Sequence, residues 1–281
     1  MNSSTPSAIL LISCPDKRGI VAAVTKFISG LSGNIVHLEQ HVDFEENVFF
    51  MRVEWSLEGF QVARDDIAKA FEPLRAEFGM ELTLHFSDHA PRIAVFVSKE
   101  SHCLYDLLSR HSSGEWQAEI PLIVSNHADL KPVADRFGID FKVFAAAQEE
   151  RALALLKDYK IELVVLARYM QILSARFVAA YPNRVINIHH SFLPAFPGAR
   201  PYHSAYARGV KVVGATSHYV TEELDNGPII EQDIIRVSHK DAVEDMIRKG
   251  RDLERVVLAR AVHAHLEHRI LVHKNKTVIF E

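Results

Sequence analysis

The chain has 281 residues, of which 48% are hydrophobic and 24% charged, and its formal net charge is −4. These values indicate a globular protein of two domains and exclude a disordered or fibrous one. The 36 acidic and 32 basic residues leave no positive excess to attract a phosphate backbone, so we expect no nucleic-acid partner. No apolar run approaches the ~18 residues that cross a bilayer, so we expect no membrane partner.

Two further features indicate a cytoplasmic protein. The two cysteines, Cys14 and Cys103, lack CxxC spacing and predict neither a disulfide framework nor a cysteine zinc site. The opening residues, MNSSTPS, contain no basic region followed by an apolar one, so we predict no secretory leader.

The first 86 residues follow the order strand, helix, strand, strand, helix, strand. The turn PDKRG separates the first strand from the first helix, and FEEN joins the second and third strands as a hairpin. We therefore predict a ferredoxin-like βαββαβ domain over residues 1–86. Its predicted strands lie at 8–14, 34–43, 48–56 and 80–86, and its helices at 20–31 and 65–78.

The polar, proline-containing segment SDHAPR comes next, and we predict a linker at residues 87–91. Over residues 92–281 short apolar strands alternate with helices, which predicts a Rossmann-like α/β domain with a mostly parallel sheet. The predicted strands lie at 93–97, 118–124, 141–144, 163–166, 185–188, 211–219 and 229–237. The predicted helices lie at 104–109, 130–137, 148–157, 175–180 and 242–272.

Polar side chains end the strand at 185–188. Ligands of open parallel sheets bind at the carboxyl ends of the strands, and alternate positions put Asn187 and His189 on the same side. A capped strand end with a hydrogen-bonded histidine explains these two residues equally well. Asp225, in LDNGPII, is by itself a typical turn residue. Together, however, the three side chains are able to activate water and to hold an oxyanion.

Other chemistries are less well supported by the sequence. There is no serine in a nucleophile elbow and no HExxH motif, which favours direct attack on an acyl carbon without a covalent intermediate. The histidines show no metal-ligand spacing, so we predict no metal. After His190 the segment SFLPAFPGA has neither helix nor strand pattern. We predict a loop that wraps a ligand and is anchored by Phe192, Leu193 and Phe196.

The segment from NIHHSFLPAFPGA to LDNGPIIEQ resembles the active-site segment of the folate-dependent formyltransferases. This resemblance, which extends from about residue 92 to residue 237, implies that the catalytic residues are Asn187, His189 and Asp225. The segment YMQILS resembles the part of these enzymes that holds the pterin ring. The substrate-binding residues implied in this way are Gln171, Ile172, Leu173, His218, Val220 and Leu224. Gln171 replaces an arginine often found in the glycinamide ribonucleotide enzymes, so no charged contact is expected there.

The chain departs from those enzymes after the first strand of the second domain. They have a glycine-rich loop there that holds the ribonucleotide phosphate, whereas this chain has Lys99, Glu100, Ser101 and His102. These residues lack the close backbone approach of glycine, and Glu100 would repel a phosphate. Water then remains as the acceptor of the formyl group. That is the reaction of the formyltetrahydrofolate deformylase family, which the chain resembles over its whole length, including the late helix GRDLERVVLARAV.

The segment CPDKRGIVAAVTKFISGLSGNI resembles an ACT domain, which implies that Asp16 and Gly19 bind a small effector across a dimer interface. A structural turn explains these two residues as well. The deformylase resemblance implies regulation by glycine and methionine with opposite effects, and no cofactor beyond the folate substrate. It also implies a homodimer or homotetramer that supplies formate for purine synthesis and balances the one-carbon pool. Two alternatives stay open: formyl transfer to an amine, and a non-catalytic regulator that binds folate or amino acids.

Overall fold

The computed structural model describes residues 5–195 and 201–281, and the chain forms two compact units. The first unit consists of the chain up to His89 together with Glu267–Leu271 and Val278–Glu281. The second consists of Ala90–Leu266 and Val272–Thr277. Phe196, which we predicted as a loop anchor, lies outside the described residues. Within the described ranges, no helix combines the length and apolar character needed to cross a membrane.

The first unit has the predicted βαββαβ order, with an antiparallel sheet in the strand order β2-β3-β1-β4. Its elements are β1 (Ser7–Pro15), α1 (Ile20–Gly30), β2 (Asn34–Asp43), β3 (Val48–Ser56), α2 (Ile67–Ala70), α3 (Glu72–Phe78) and β4 (Glu81–Phe86). We predicted one helix at 65–78, but the structure has a 3₁₀ turn followed by two short helices. Pro73 explains the break, because it has no amide hydrogen and its ring crowds the carbonyl four residues earlier.

The second unit is a seven-stranded sheet in the order β11-β10-β9-β8-β5-β6-β7. Its strands are β5 (Arg92–Val97), β6 (Glu119–Ser125), β7 (Asp140–Val143), β8 (Leu163–Ala167), β9 (Val185–His189), β10 (Val212–Tyr219) and β11 (Ile229–Arg236). Strands β5 to β9 are parallel, and β10 runs antiparallel to both neighbours. The predicted α/β class with a mostly parallel sheet is therefore confirmed.

The helices of the second unit are α4 (His102–Ser112), α5 (Lys131–Phe137), α6 (Glu149–Asp158), α7 (Ala175–Ala180), α8 (Pro201–Arg208) and α9 (Val243–Leu266). Helix α8 was not predicted. The central strands β5 and β8 are almost wholly apolar and buried, as expected when helices cover both faces of a parallel sheet.

The last helix is shorter than we predicted, and the prediction of a helix through residue 272 was wrong. Helix α9 ends at Leu266, His268 has a left-handed backbone with φ of 52°, and the strands β12 (Ile270–His273) and β13 (Lys276–Ile279) follow. A short apolar run does not by itself distinguish a strand from a helix, which is why the spacing misled the prediction.

The end of the chain also differs from its predicted place in a domain of residues 92–281. Leu271 and Phe280 pack with Leu11 and Phe50 in a small core of the first unit. Strand alternation sends Leu10 to the opposite face of β1, where it joins the main core of that unit. The terminal segments therefore cover a face of the sheet that would otherwise expose apolar side chains. The linker at 87–91 stays a prediction.

Candidate active site

A cavity of about 320 Å³ lies in the second unit, where the chain leaves the carboxyl ends of β8 and β9. Three segments line it: Leu166 with residues 168–173, residues 187–190, and the end of β10 with the loop after it. All nine residues of the second unit that the sequence singled out for catalysis or folate binding line this one cavity. They are Asn187, His189, Asp225, Gln171, Ile172, Leu173, His218, Val220 and Leu224.

The centre of the cavity contains a histidine–carboxylate pair. The Nδ1 atom of His189 lies 3.2 Å from Oδ1 of Asp225, and the His189 side chain is 6% exposed. The hydrogen bond from His189, aided by nearby imidazoles, holds the pKa of the Asp225 carboxyl below its ordinary value despite partial burial. Asp225 is therefore ionised at neutral pH. The other ring nitrogen of His189, Nε2, is buried and has no hydrogen-bond partner within the described part of the chain.

The loop that brings Asp225 to His189 depends on a close approach of two backbone segments. A Cβ atom on Gly227 would lie 1.8 Å from the carbonyl oxygen of Tyr219, so glycine is required at this position. Asp225 itself has a left-handed backbone, with φ of 55°. Such a conformation is uncommon outside glycine, asparagine and aspartate, and here it directs the carboxylate toward the end of β9.

Asn187 is held by a neutral histidine. Its Nδ2 atom lies 3.2 Å from Nε2 of His218, and Nδ1 of His218 lies 2.9 Å from the carbonyl oxygen of Tyr219. A carbonyl can only accept, so Nδ1 of His218 donates to it and Nε2 accepts from the Asn187 amide. Burial lowers the pKa of His218, which keeps the ring neutral at pH 7. This arrangement sets the orientation of the Asn187 amide and leaves its second N–H hydrogen for the cavity.

The loop after β9 is held by polar as well as apolar contacts. Leu193 is 7% exposed, but Phe192, the other described anchor that we predicted, is 43% exposed. Thr216 Oγ1 donates to the carbonyl of Ser191 and accepts from the amide of Leu193, at 2.9 and 3.0 Å. The sequence analysis missed Thr216, which lies inside a strand and carries no motif of its own.

Apolar side chains lie on two sides of the cavity. Leu173 and Val220 pack against the core of the second unit, whereas Ile172 and Leu224 are 76% and 65% exposed. A mostly apolar lining with a few convergent polar groups is typical of a small-molecule site. Gln171 uses its amide to donate to the carbonyl of Met170, at 2.9 Å.

The sequence analysis also missed a buried polar cluster beside the cavity, formed by His102, Arg168, Tyr202 and Glu254. Arg168 lines the cavity, and Glu254 is 1% exposed. The helical spacing of the sequence could have identified Glu254, because the apolar positions of α9, among them Leu253 and Val257, put it on the buried face of the helix. A carboxylate at such a position needs polar partners.

In the first unit, Asp16 and Gly19 lie in the turn between β1 and α1. The amide of Asp16 donates to the carbonyl of Asn47 at 3.0 Å, and Gly19 has a φ of 93° directly before α1. The turn thus has a structural reason for both residues, and their binding of an effector stays a prediction.

Comparison with known families identifies both units. The profile described as formyl transferase matches residues 91–262, and the profile described as ACT domain matches residues 8–75. The chain is 58% identical to the formyltetrahydrofolate deformylase of Synechocystis sp., over 98% of each chain. It is 48% identical to that of Bacillus subtilis, over 96% of this chain and 93% of the relative.

Solved structures agree with these matches. A formyltetrahydrofolate deformylase from Pseudomonas syringae superposes with a TM-score of 0.95 at 46% identity, covering 100% of this chain and 96% of that one. A glycinamide ribonucleotide transformylase from Symbiobacterium toebii has a TM-score of 0.65 at 32% identity, covering 71% of this chain and 98% of the other. The transferase thus corresponds to only part of this chain, whereas the deformylases correspond to its full length. The chain therefore belongs to the formyltetrahydrofolate deformylase family, with an ACT domain followed by a formyl transferase domain.

Proposed function

We propose that this protein hydrolyses 10-formyltetrahydrofolate to formate and tetrahydrofolate. The observation that carries the proposal is the pairing of His189 with an ionised Asp225 beside Asn187, in a cavity of about 320 Å³ with apolar walls. A volume of this size accepts a flat heterocycle, with the remainder of the ligand outside. We place the pterin between Leu173 and the loop at residues 220–225, and the formyl group against Asn187 and His189.

In this scheme Asp225 orients a water molecule and accepts its proton while the water oxygen attacks the formyl carbon. The carbonyl oxygen becomes an oxyanion, which the Asn187 amide and the protonated His189 stabilise through hydrogen bonds. The bond from the formyl carbon to N10 then breaks. N10 receives a proton from His189, and tetrahydrofolate leaves together with formic acid, which ionises to formate. Asp225 then releases to solvent the proton that it took from water, and His189 takes up a proton from solvent.

We propose that His218, which the sequence analysis grouped with the substrate-binding residues, acts through Asn187. Both of its ring nitrogens have protein partners, Tyr219 and Asn187. A neutral ring that accepts from the amide also prevents that amide from flipping. His218 is therefore a positioning residue in this proposal.

Transfer to an amine is the second candidate, because the chain is 32% identical to a glycinamide ribonucleotide transformylase. The loop before α4 argues against an acceptor that carries a phosphate. Glu100 accepts from Arg251 at 2.6 Å, and His102 lies 2.7 Å from the Glu254 carboxylate. Residues 99–102 include no glycine through which a phosphate could approach the backbone closely, and Glu100 adds a negative charge to this loop.

The assay measures formate and tetrahydrofolate after incubation of the purified protein with 10-formyltetrahydrofolate and no amine. We expect equal amounts of both products, and a loss of turnover of about 100-fold or more in Asp225→Ala. The matched control is Asp252→Ala, at an exposed position on α9. Product formation only after addition of glycinamide ribonucleotide would establish the transferase instead.

We also propose that the ACT domain binds an amino acid through Asp16 and Gly19, with glycine and methionine acting in opposite directions, in a homodimer or homotetramer. Gly19 is exposed, and a Cβ atom there would meet nothing within 4 Å, so the turn has space for a small ligand. Activity with each amino acid, for wild type and Asp16→Ala, tests the effector. Light scattering after size-exclusion chromatography tests the oligomer.

A further inference from the structure

Arg168 holds an unusual backbone position at the reacting end of the cavity. It follows β8, whose Leu166 pairs with Asn187 of β9, and it has a left-handed backbone with φ of 62°. For an arginine this conformation is unfavourable, and it persists only where the surrounding structure requires it. The chain thus places a cation beside the strand end that carries Asn187 and His189.

The guanidinium of Arg168 has unused hydrogen-bond donors. The side chain is 14% exposed and lines the same cavity as Asn187 and His189. Its Nε and Nη1 atoms are buried, and neither has a hydrogen-bond acceptor in the described ranges. Buried donors without acceptors are rare in folded proteins, and a ligand oxygen at this end of the cavity would supply the acceptor that the described protein atoms do not.

Glu254 balances the charge of Arg168 without consuming these donors. One carboxylate oxygen of Glu254 lies 3.4 Å from Nε of Arg168, which is an ion pair, but the atoms do not align as a hydrogen bond. The same oxygen lies 2.7 Å from Nε2 of His102, and the other accepts from the hydroxyl of Tyr202 at 2.7 Å. Glu254 is thus held on three sides, and it fixes the place of the guanidinium.

Glu254 is ionised at neutral pH. Burial by itself would raise the pKa of this carboxyl, but the hydrogen bond from His102 and the charge of Arg168 outweigh burial and lower it. The network therefore contains a permanent carboxylate that attracts Arg168.

From this geometry we propose that Arg168 donates hydrogen bonds to the formyl oxygen as it becomes an oxyanion and then a carboxylate oxygen of formate. Glu254 is the positioning residue that holds the guanidinium. The inference rests on the proposed hydrolysis and adds a further group to its oxyanion site. A planar guanidinium matches a carboxylate such as formate, and no proton passes between them.

A metal centre is the competing explanation of the same cluster. His102, Cys103 and Glu254 have ligand-type atoms within 4.8 Å of one another. A divalent cation there would lie against the guanidinium of Arg168. Burial also raises the pKa of the Cys103 thiol well above its ordinary value, so the thiol is neutral at pH 7 when no cation is bound. The cluster is therefore better suited to anchoring Arg168 than to binding a metal.

The first test compares turnover of Arg168→Met with that of Arg176→Met, a control at an exposed arginine on α7 that is 73% exposed. We expect Arg168→Met to lower kcat by about 100- to 1,000-fold with little change in KM, as for the loss of an oxyanion donor. Arg168→Lys keeps the positive charge but loses the paired N–H donors of the planar guanidinium, and we expect an intermediate kcat. A raised KM with an unchanged kcat would overturn the proposal, because Arg168 would then contact a part of the folate that does not react.

The second test measures binding of sodium formate directly, by saturation transfer from the protein to the formate C–H proton, against sodium chloride at equal ionic strength. Wild type and Arg176→Met should give a signal that Arg168→Met lacks. Glu254→Gln should weaken formate binding about tenfold or more, because the Arg168 guanidinium loses the carboxylate that aligns it with formate. The KM for the folate should change little. Formate binding by Arg168→Met equal to wild type, or no binding by wild type, would overturn the proposal.

One further variant covers the case in which Arg168→Met leaves Glu254 buried without its cation and fails to fold. The double variant Arg168→Met/Glu254→Gln removes both charges together, and it should fold and still lack formate binding. If the protein does not hydrolyse the folate but binds formate in a way that depends on Arg168, the proposed hydrolysis is refuted and the proposed anion site is supported. Hydrolysis that is insensitive to Arg168 would refute only the inference. Loss of activity on addition of a chelator would instead favour the metal centre and overturn the anchoring role of the cluster.

Discussion

Replacing Gly250 with alanine should destabilise the second unit, because this glycine allows Tyr202 to approach α9. A Cβ atom at position 250 would lie 1.9 Å from the Tyr202 hydroxyl oxygen and 2.3 Å from the ring carbon that bears it. Tyr202 is 6% exposed, and its ring is rigid, so the contact cannot be relieved by a small rotation. The ring has to move away, and its hydroxyl then leaves the Glu254 carboxylate.

The magnitude follows from three contributions. A hydrogen bond to a charged group is worth about 1.5–3 kcal/mol, and forced repacking of a buried ring costs about 1–3 kcal/mol. Alanine in a helix interior is favoured over glycine by about 0.5–1 kcal/mol, which offsets part of this cost. The expected net loss is about 2–5 kcal/mol in the free energy of unfolding.

Urea unfolding followed by circular dichroism measures this loss. Gly30→Ala is the matched control, because Gly30 also lies in a helix but its added Cβ atom would meet nothing within 4 Å. It should leave the stability unchanged or raise it slightly. In a Tyr202→Ala background, Gly250→Ala should lose most of its effect. The reasoning is refuted if Gly250→Ala is as stable as wild type, or if its effect is the same with and without the Tyr202 ring.

Three further outcomes are expected. His218→Ala should lower kcat about 100-fold with little change in KM, because Asn187 loses its orientation. Steady-state kinetics measures both constants, and a raised KM with a normal kcat would contradict this prediction. The folded-state pKa of Asp225 lies below its ordinary value, so its carboxylate stabilises the fold above about pH 4 and this contribution is lost as the pH falls through the folded pKa. The difference in unfolding free energy between wild type and Asp225→Asn should therefore shrink on acidification, and a difference that is constant with pH in chemical denaturation would argue against the ionised pair. Phe280→Ala should destabilise the first unit by about 3–5 kcal/mol, because Phe280 is 1% exposed in the core around Leu11. An unchanged urea midpoint would contradict the packing of the terminal segment in that core.

Local pattern was sufficient for most of the fold. Alternation and helical spacing predict the bounds of β2 and β3, and the succession of short apolar strands and helices predicts the parallel sheet, because these signals depend only on neighbours in the chain. The same holds for Asn187 and His189, which are two positions apart on one strand. Their common orientation follows from the strand period without any knowledge of the remainder of the molecule.

Long-range contacts decided the rest. Leu271 lies in an apolar run that suits a helix or a strand equally, and only the core of the first unit that receives it selects the strand. The tautomer of His218 depends on the carbonyl of Tyr219 and the amide of Asn187, which no spacing in the sequence specifies. Arg168 and Glu254 carry no recognisable motif, and they become a pair only when β8 and α9 pack in one unit. The sequence by itself thus determined most of the elements and the polar end of β9, because both depend on short-range periodicity. Tertiary structure alone decided which buried charges meet, because burial and partnership are properties of the packed chain.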